Sequence, residues 1–388
     1  MSRVDTGKKI GIVAPSFHPM VGGVELYVKG IGAELVKLGH EVHVYTPNKV
    51  MGKSLDGAEE LVDGIHVHRL PVRFELSYRV KLWSGLRAAL ERDAPDVIHV
   101  YSHDYYSRAA AEAAANLGRP LVITTYGPFE THSDYGALQR MLFRAYDRFV
   151  TPSLLRKCAR VFVRYPEIAS WVESLGVSAS KTEVEPSGIP SAYLQGADKA
   201  RGRELLGHDG ELLLYTGRIS PQKGVQYAVE ALPHVVRRFP KAKLVLVGPD
   251  YIDYSRRLTK LAARLGVEES LSILGAVGHR TEAELLAACD VFVMPSSFEG
   301  FSQSVMKAMA QGRPVVVSNV GGLPYEIDYG KCGRLYAFGD SRGLATNIVE
   351  LLESGVEADD LGSNGRLRAK QFTFDRLAQR LSGVYQAA

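Results

Sequence analysis

The feature that most constrains the fold is a regular alternation of short apolar, β-branched runs with helical stretches, and it occurs twice along the chain. Apolar strands separated by helices are typical of a parallel sheet that is covered on both faces. The first series of predicted strands is Lys9–Ala14, Glu41–Tyr45, Asp96–Tyr101, Leu121–Thr125 and Ala159–Val163. The second series is Leu212–Thr216, Lys243–Val247, Leu271–Leu274, Val291–Met294 and Pro314–Ser318. The sequence therefore predicts an α/β protein with two consecutive doubly wound domains.

The boundary between the two series is marked by Pro186–Gly188, by Pro190 and by the polar stretch Gln195–Arg203. We place one domain at 1–192 and a second at 193–370, followed by an amphipathic helix within 371–388. Parallel sheets of this kind bind ligands at the carboxyl ends of their strands. The segments that directly follow the strands are therefore the candidate functional segments, and two such domains are expected to face a central cleft.

Composition excludes several classes of protein. With 46% hydrophobic and 23% charged residues, the chain is neither disordered, collagen-like nor mainly coiled coil. No apolar run approaches the roughly 18 residues of a membrane span, and Met1–Lys9 contains no secretory signal. Three widely spaced cysteines, Cys158, Cys289 and Cys332, are typical of reduced thiols in the cytoplasm. A net charge of +4 is too small to indicate nucleic-acid binding, so no nucleic-acid partner is expected.

Two glycine-containing segments each follow the first strand of a series. Gly22 and Gly23 lie between a strand and a helix, where a backbone without side chains can approach an anion at the helix N-terminus; the alternative is a tight turn that requires glycine. Gly217–Gly224 (GRISPQKG) contains Arg218 and Lys223, and two cations at a strand end suit a diphosphate. The alternative for this pair is two solvated surface cations.

A third segment, Pro295–Gly312, contains a polar turn followed by a helix that is expected to begin near Ser302. Glu299 in the turn is a candidate acceptor for sugar hydroxyls, and it could equally be a carboxylate that stabilises the helix start. The backbone N–H groups of Phe301, Ser302 and Gln303 are expected to point at an anion.

These segments, in this order, resemble the retaining GT-B glycosyltransferases of family GT4, within the glycogen-synthase-like superfamily. The resemblance covers nearly the whole chain, and the residues that carry it are Gly22-Gly23, Gly217-Arg218 with Lys223, Glu299-Gly300-Phe301, the run Ala308–Val316, and Gly321-Gly322. It implies two Rossmann-like domains, with the C-terminal helix of 371–388 packed back on the N-terminal domain. It also implies a nucleotide-sugar donor bound mainly by the C-terminal domain, an acceptor on the N-terminal domain, and no cofactor or metal. The sequence contains no Asp-x-Asp motif for a metal.

In two places the sequence departs from the GT4 pattern. Where the family commonly has a histidine that contacts the donor sugar, this chain has Tyr126, which can still form a hydrogen bond through its hydroxyl. The candidates for the acceptor side are four polar residues nearby, His103, Asp104, Glu130 and His132; each could also be an ordinary polar loop residue.

The second departure is Lys307, which stands where the family has a second glutamate that accepts hydrogen bonds from both ribose hydroxyls. An offset of eight residues is about 80° round a helix, so Lys307 is expected to face the same cleft as Glu299. A lysine has three donors and no acceptor, so either the donor is held differently or its binding is weakened. On this basis Lys307→Glu is expected to tighten donor binding.

Two stretches of the N-terminal domain are rich in basic and apolar residues. Residues 135–165 carry Arg140, Arg144 and Arg148 at a spacing that puts them on one helix face, and residues 69–92 carry six basic and two acidic residues. Such faces suit an anionic membrane surface, although a solvated helix face packed on its own sheet has the same pattern. His66 and His68 alternate on a predicted strand, and with no third ligand nearby we interpret them as an exposed face rather than a metal site.

The sequence thus predicts a retaining, metal-independent hexosyltransferase that moves a sugar from a nucleotide sugar to a glycan or lipid-linked acceptor. Glu299, Arg218, Lys223 and Tyr126 are its candidate catalytic residues. Gly22, Gly23, Gly217, Phe301, Ser302, Gln303 and Lys307 are its candidate donor-binding residues. The expected location is the cytoplasm, with peripheral contact at the inner face of the membrane. The alternatives are a non-catalytic nucleotide-sugar-binding protein of the same fold and a nucleotide-sugar epimerase.

Overall fold

The chain folds as two units, and each is built on its own sheet. The structure is a computed structural model that describes residues 7–20, 22–50, 53–55, 57, 59–77, 80–129 and 136–388. Unit 1 is the chain up to Gly188 together with Phe374–Ala388, and unit 2 is Ile189–Thr373. The boundary expected from the sequence, between 192 and 193, falls slightly later.

Unit 1 contains most of the short strands of the chain. Its strands are β1 (Lys9–Val13), β2 (Glu41–Pro47), β3 (Lys49–Val50), β4 (Lys53–Ser54), β5 (Glu59–Val62), β6 (Ile65–Leu70), β7 (Val72–Ser77), β8 (Val80–Trp83), β9 (Val97–Tyr101), β10 (Leu121–Thr125), β11 (Arg160–Val163) and β12 (Thr182–Val184). Its helices up to the boundary are α1 (Gly23–Lys37), α2 (Leu86–Asp93), α3 (Tyr106–Leu117), α4 (Ala137–Phe149), α5 (Thr151–Lys157) and α6 (Pro166–Ser174).

Unit 2 alternates strands and helices more regularly. Its strands are β13 (Leu212–Thr216), β14 (Lys243–Val247), β15 (Leu271–Gly275), β16 (Val291–Met294), β17 (Val315–Ser318) and β18 (Arg334–Tyr336). Its helices are α7 (Lys199–Leu206), α8 (Val225–Arg238), α9 (Ser255–Arg264), α10 (His279–Ala288), α11 (Gln303–Ala310), α12 (Leu323–Glu326), α13 (Ser341–Glu353) and α14 (Gly355–Ala369). The chain then ends with α15 (Phe374–Ala387), which belongs to unit 1.

Both units have a central sheet whose strand order reverses at one point. In unit 1, eight of the described strands pair in the order β12-β11-β10-β9-β1-β2-β6-β5, and all pairs are parallel except β5 with β6. In unit 2, the described strands pair in the order β15-β14-β13-β16-β17-β18, all parallel. The order reverses between β1 and β9 and between β13 and β16. Open α/β sheets bind ligands outside the carboxyl ends of their strands at such switch points, so a ligand is expected at these two positions.

The central strands are apolar on both faces because helices cover both sides of each sheet. All five residues of β9, and likewise of β10 and β13, are buried. In unit 1 the two faces form separate apolar clusters, one beneath α2, α3, α5 and α6 and the other beneath α1 and α15. The predicted α/β fold with two doubly wound sheets is confirmed.

The C-terminal helix α15 packs on unit 1 through both apolar and polar contacts. Its buried residues face α1, where Gly30 leaves room for the ring of Phe374; a Cβ at Gly30 would collide with that ring. The Tyr385 hydroxyl contacts His99 Nδ1 at 2.5 Å, and Ser382 Oγ contacts His40 Nε2 at 2.7 Å. The helix is therefore an integral layer of unit 1.

We expect His99 to make the protein sensitive to acid. Complete burial, and secondarily the charge of Arg164, lowers the pKa of His99 to about 3. An unfolded histidine has a pKa near 6.5, so between these values the unfolded chain binds one more proton than the folded chain. Stability should therefore fall as the pH drops from about 6.5 toward 3, by about 1.4 kcal/mol per pH unit for this residue.

Urea unfolding of the wild type and of His99→Asn across this pH range checks the expectation. The asparagine variant, which retains a donor and an acceptor, should lose stability less steeply with falling pH. Equal slopes for the two proteins would contradict it.

Two further observations bear on the sequence predictions. Cys158, Cys289 and Cys332 are all buried free thiols, and burial raises the pKa of Cys158 and of Cys289 to about 12. Within the described ranges, no helix is long and apolar enough to cross a membrane.

Candidate active site

The loop after β13 supplies Arg218 and Lys223 at the switch point of unit 2. Glycine is required at both ends of this loop: Gly217 has φ +149°, and at Gly224, with φ +64°, a Cβ would fall on the carbonyl oxygen of Pro295. The Tyr215 hydroxyl donates to the carbonyl oxygen of Arg218 at 2.8 Å and so stabilises the loop. The side chains of both cations are only partly buried.

The loop after β16 brings Glu299 to the same place. Lys223 Nζ lies 2.6 Å from Glu299 Oε1, and the buried Ser296 hydroxyl donates to the same oxygen at 2.7 Å. The two loops are joined directly because the Ser297 backbone N–H and side-chain hydroxyl both donate to the carbonyl oxygen of Gln222, each at 2.9 Å. The structure thus brings together the lysine and the glutamate that the sequence singled out.

The glycine pair Gly321-Gly322 packs directly against the backbone of Glu299. The Gly322 N–H donates to the Glu299 carbonyl oxygen at 2.8 Å, and a Cβ at Gly321 would collide with that same oxygen. The turn that carries Glu299 is therefore held from both sides, by the Gly217–Gly224 loop and by this glycine pair.

The start of α11 differs from the expectation at one residue. The Ser302 backbone N–H, which was predicted to point at an anion, donates to Glu326 Oε2 at 2.9 Å. Glu326 is fully buried, and burial raises the pKa of its carboxyl well above the usual range. Phe301 is partly buried against the ring of Phe372, and Gln303 begins α11 and is partly buried. The Ser302 N–H is thus already satisfied within the protein.

Lys307, also on α11, forms an ion pair that the sequence did not reveal. Its Nζ lies 2.8 Å from Glu282 Oε2, and the Tyr193 hydroxyl donates to that oxygen at 2.6 Å. The side chain of Lys307 is 7% exposed and that of Glu282 is 14% exposed. Burial alone would raise the pKa of Glu282, but His279 and Lys307 outweigh it and lower the pKa to about 2. The carboxyl of Glu282 is therefore ionised at neutral pH, and a glutamate at position 307 would face this carboxylate.

In unit 1, Tyr126 follows β10 and is partly buried beside Arg164, which belongs to the basic stretch 135–165. Arg164, which is 2% exposed and follows β11, donates from Nη2 to the Tyr126 hydroxyl at 3.2 Å. Its guanidinium lies over the rings of Tyr27 and Tyr126, with its Cζ 4.4 Å and 5.1 Å from their centroids. Glu185 follows β12, and its Oε2 lies 3.5 Å from Arg164 Nη1. The strand-end position was the only sequence signal for Arg164 and Glu185.

The glycine pair at the start of α1 lies beside an acidic side chain. A Cβ at Gly22 would meet the carboxylate of Glu25, which lies in the first turn of α1 and accepts a hydrogen bond from Ser16. Gly23 begins the helix, and a Cβ there would meet nothing. The N-terminus of α1 thus already faces a carboxylate, which competes with any anion there.

The acceptor-side candidates divide into three groups. His103 uses both ring nitrogens inside the protein, since Nε2 lies 3.1 Å from Asp147 Oδ1 and Nδ1 lies 2.8 Å from Thr125 Oγ1. Asp104 accepts from the Ser102 hydroxyl at 2.9 Å, and burial raises the pKa of its carboxyl. Glu130 and His132 lie outside the described residues.

The interpretation of His66 and His68 as an exposed face without a third ligand is wrong for His68. His66 is exposed, but His68 is buried, and together with His43 and Asp93 it offers ligand atoms that all lie within 4.8 Å of one another. The sequence could not show this, since His43 comes from the neighbouring strand β2 and Asp93 from the end of α2. His43 Nδ1 and His68 Nε2 form a hydrogen bond of 2.8 Å with each other. Asp93 accepts from Arg92 and from Tyr45, each at 2.9 Å. These contacts account for the cluster without a metal.

Comparison with known proteins gives consistent results for both units. The family profile described as "Glycosyl transferases group 1" matches residues 197–368, and the "Glycosyl transferase 4-like domain" profile matches residues 22–188. A GDP-mannose-dependent alpha-mannosyltransferase of Mycobacterium tuberculosis is 30% identical over 86% of this chain and 85% of its own length. A D-inositol 3-phosphate glycosyltransferase of Acidothermus cellulolyticus is 27% identical over 99% and 91%. Among solved structures, Anabaena Alr3699/HepE in complex with UDP is 22% identical, with a TM-score of 0.78 over 98% of this chain and 100% of that one.

Proposed function

The chain belongs to the GT4 family of GT-B glycosyltransferases, and we propose that it transfers a sugar from a nucleoside-diphosphate sugar to its acceptor with retention of anomeric configuration. The observation that carries the proposal is the contact between Lys223 and Glu299 at the switch point of unit 2. A lysine at a strand end suits a diphosphate, and a carboxylate beside it suits sugar hydroxyls.

In the proposed reaction, the bond between the anomeric carbon and the leaving phosphate oxygen breaks as the acceptor oxygen attacks from the same face. The proton of the acceptor hydroxyl passes to the leaving phosphate, so the protein needs no nucleophile. Arg218 and Lys223 stabilise the charge that develops on the diphosphate, which is the largest expected contribution to the rate. Because these two cationic side chains balance the negative charge on the diphosphate, we propose that the reaction is metal-independent and needs no cofactor.

The other candidate residues have supporting roles in this proposal. Glu299 accepts hydrogen bonds from the transferred sugar. Tyr126, whose hydroxyl oxygen already accepts from Arg164, keeps its own O–H as a hydrogen-bond donor for a sugar hydroxyl at unit 1. Gly217, which has φ +149°, allows the backbone of the loop after β13 to approach the donor closely.

We also propose that the acceptor is lipid-linked and that unit 1 contacts an anionic membrane through α4. This helix exposes large apolar side chains next to arginines: Leu138 is 66% exposed, Met141 60%, Leu142 58% and Phe149 74%. Arg140 and Arg148 are exposed on the same helix. An amphipathic helix of this kind can lie in the headgroup region of an anionic leaflet.

The second basic stretch, residues 69–92, is a weaker candidate than the sequence suggested. Arg69 is buried and paired with Glu60, Arg87 pairs with Glu91, and Arg92 pairs with Asp93. These arginines are already neutralised by the protein, so the proposal rests on α4.

We expect the double variant Met141→Asp/Leu142→Asp to lose most of its affinity for anionic vesicles. Burying one large apolar side chain contributes about 1.5–3 kcal/mol, so losing two should weaken partitioning by about a hundredfold or more. Co-sedimentation with vesicles of phosphatidylglycerol and phosphatidylcholine measures this. Leu367→Asp, at a residue of unit 2 that is 61% exposed, is the matched control and should bind like the wild type. If Met141→Asp/Leu142→Asp and Leu367→Asp bind the vesicles equally well, α4 is excluded as the membrane contact.

The experiment that tests the function itself uses a panel of UDP and GDP sugars, each with and without membrane lipid extract, and measures the nucleoside diphosphate released. Release that depends on the lipid extract supports the proposed transferase, and the anomeric configuration of the product tests retention. Release without an acceptor would favour an epimerase or hydrolase. Binding of a nucleotide sugar without any release would favour a non-catalytic binding protein.

A further inference from the structure

The ion pair of Lys307 and Glu282 joins two helices that each follow a strand of the unit 2 sheet, and it shares no residue with the contact of Lys223 with Glu299. Glu282 is in the first turn of α10, which follows β15, and Lys307 is on α11, which follows β16. Both helices leave the carboxyl edge of the sheet. Lys307 lies four residues after Gln303, the first residue of α11, which is about 6 Å along the helix axis.

The pair retains hydrogen-bonding capacity that the protein does not use. An ionised carboxylate has about four acceptor positions. Lys307 and Tyr193 both donate to Glu282 Oε2, and His279 Nδ1 lies 3.9 Å from the same oxygen. Lys307 has three donors, of which one is directed at Glu282. Since the carboxylate side chain remains 14% exposed, a ligand can reach it.

The position of Tyr193, and through it of Glu282, is fixed by the surrounding structure. Tyr193 is 4% exposed and lies in a short turn, Ser191–Gln195. The Gln311 side chain donates to the Tyr193 carbonyl oxygen at 2.6 Å and accepts from the Ala197 N–H at 3.0 Å. Lys307 Nζ also lies 4.9 Å from the centroid of the Tyr193 ring. The acceptor is therefore preorganised before any ligand binds.

We propose that Glu282, held by Lys307 and Tyr193, binds the ribose diol of the donor nucleotide. This inference rests on the proposed function, which supplies the nucleoside diphosphate. A vicinal diol offers two O–H donors together with oxygen acceptors, and a carboxylate beside an ammonium complements both. The transferred sugar is assigned to Glu299, so ribose is the remaining part of the donor with such a pair of hydroxyls. Lys307 thus replaces a glutamate in the sequence while Glu282 supplies the carboxylate from another helix.

The test compares UDP and GDP with their 2′,3′-dideoxy analogues by calorimetry. For whichever base the wild type binds, we expect Glu282→Gln to weaken binding of the ribonucleotide by about tenfold to a hundredfold. Binding of the dideoxy analogue, which lacks both hydroxyls, should be unchanged. Glu284→Gln is the matched control because Glu284 lies on the same helix, is 7% exposed and pairs with the exposed Arg280. It should bind both forms like the wild type.

Each other outcome overturns the inference. Equal weakening of ribo and dideoxy forms would make Glu282 merely structural, and a wild type that does not distinguish them would exclude ribose recognition. If the wild type binds neither UDP nor GDP, the proposed function with these donors fails and the inference fails with it. Should Glu282→Gln not fold, Tyr193→Phe, which removes one donor to Glu282 Oε2, should lower the preference for the ribonucleotide. An unchanged preference would overturn the proposal.

Discussion

Replacing either Lys223 or Arg218 by alanine is expected to lower kcat/KM for sugar transfer by a hundredfold or more. Both side chains lie in the loop after β13, and in the proposed reaction they stabilise the charge on the leaving diphosphate. A loss of this size corresponds to roughly 2.7 kcal/mol of transition-state stabilisation. Lys223→Ala has a second effect, because it leaves Glu299, which is 8% exposed, with Ser296 but without its cation.

Steady-state release of nucleoside diphosphate from the donor and acceptor found in the panel measures this loss. Lys331→Ala is a suitable control, because Lys331 also pairs with a carboxylate of unit 2, Asp328, but is 76% exposed. It should retain wild-type kinetics. Near-normal kinetics for both Arg218→Ala and Lys223→Ala would remove these residues from the mechanism.

Lys307→Glu is expected to destabilise unit 2 and to weaken donor binding, which is the opposite of the result predicted from the sequence. The new carboxylate would lie beside Glu282 and the Tyr193 hydroxyl, in a place where the side chains are mostly buried. Removing one partner of a buried ion pair costs about 3–5 kcal/mol, and a like charge adds repulsion. Protonation of one of the two carboxyls would relieve part of this cost and would remove an acceptor for ribose.

Urea unfolding and calorimetry with the nucleoside diphosphate test both parts of this expectation. The charge-reversed protein Glu282→Lys/Lys307→Glu restores an ion pair and should regain much of the lost stability. A Lys307→Glu protein that is as stable as the wild type and binds the nucleotide more tightly would show that the sequence-based expectation was right.

For Lys307, the sequence predicted the helix that carries the side chain but not the residue that it contacts. Its spacing from Glu299 placed Lys307 on the correct helix, since helical periodicity is a local property. Its partner Glu282 is on a different helix, and no rule of spacing connects two residues that only tertiary packing brings together. The same applies to Tyr126 and Arg164, which are neighbours because β10 and β11 pair in the sheet.

Elsewhere the sequence was more informative. The buried strands could be identified because apolar residues on both faces of a strand are a local signal of a covered parallel sheet. The loops with Arg218, Lys223 and Glu299 could be proposed as ligand-binding loops because strand ends in such sheets are the usual ligand sites. His103 also follows a strand, but both of its ring nitrogens form hydrogen bonds within the protein. Strand-end position indicates where a site lies but not which polar side chains remain available to a ligand.

The return of the chain to unit 1 in α15 has a consequence for how the protein is made. Domains generally fold as units while the ribosome synthesises them, starting from the N-terminus. Here unit 1 is begun before unit 2 but is completed after it, because α15 follows Thr373 in the chain. Until then, the nascent chain exposes the apolar surface around Gly30 and the polar His99 that α15 later covers. A product terminated after Thr373 would contain all of unit 2 but an incomplete unit 1, and it would be a natural target for chaperones and proteases.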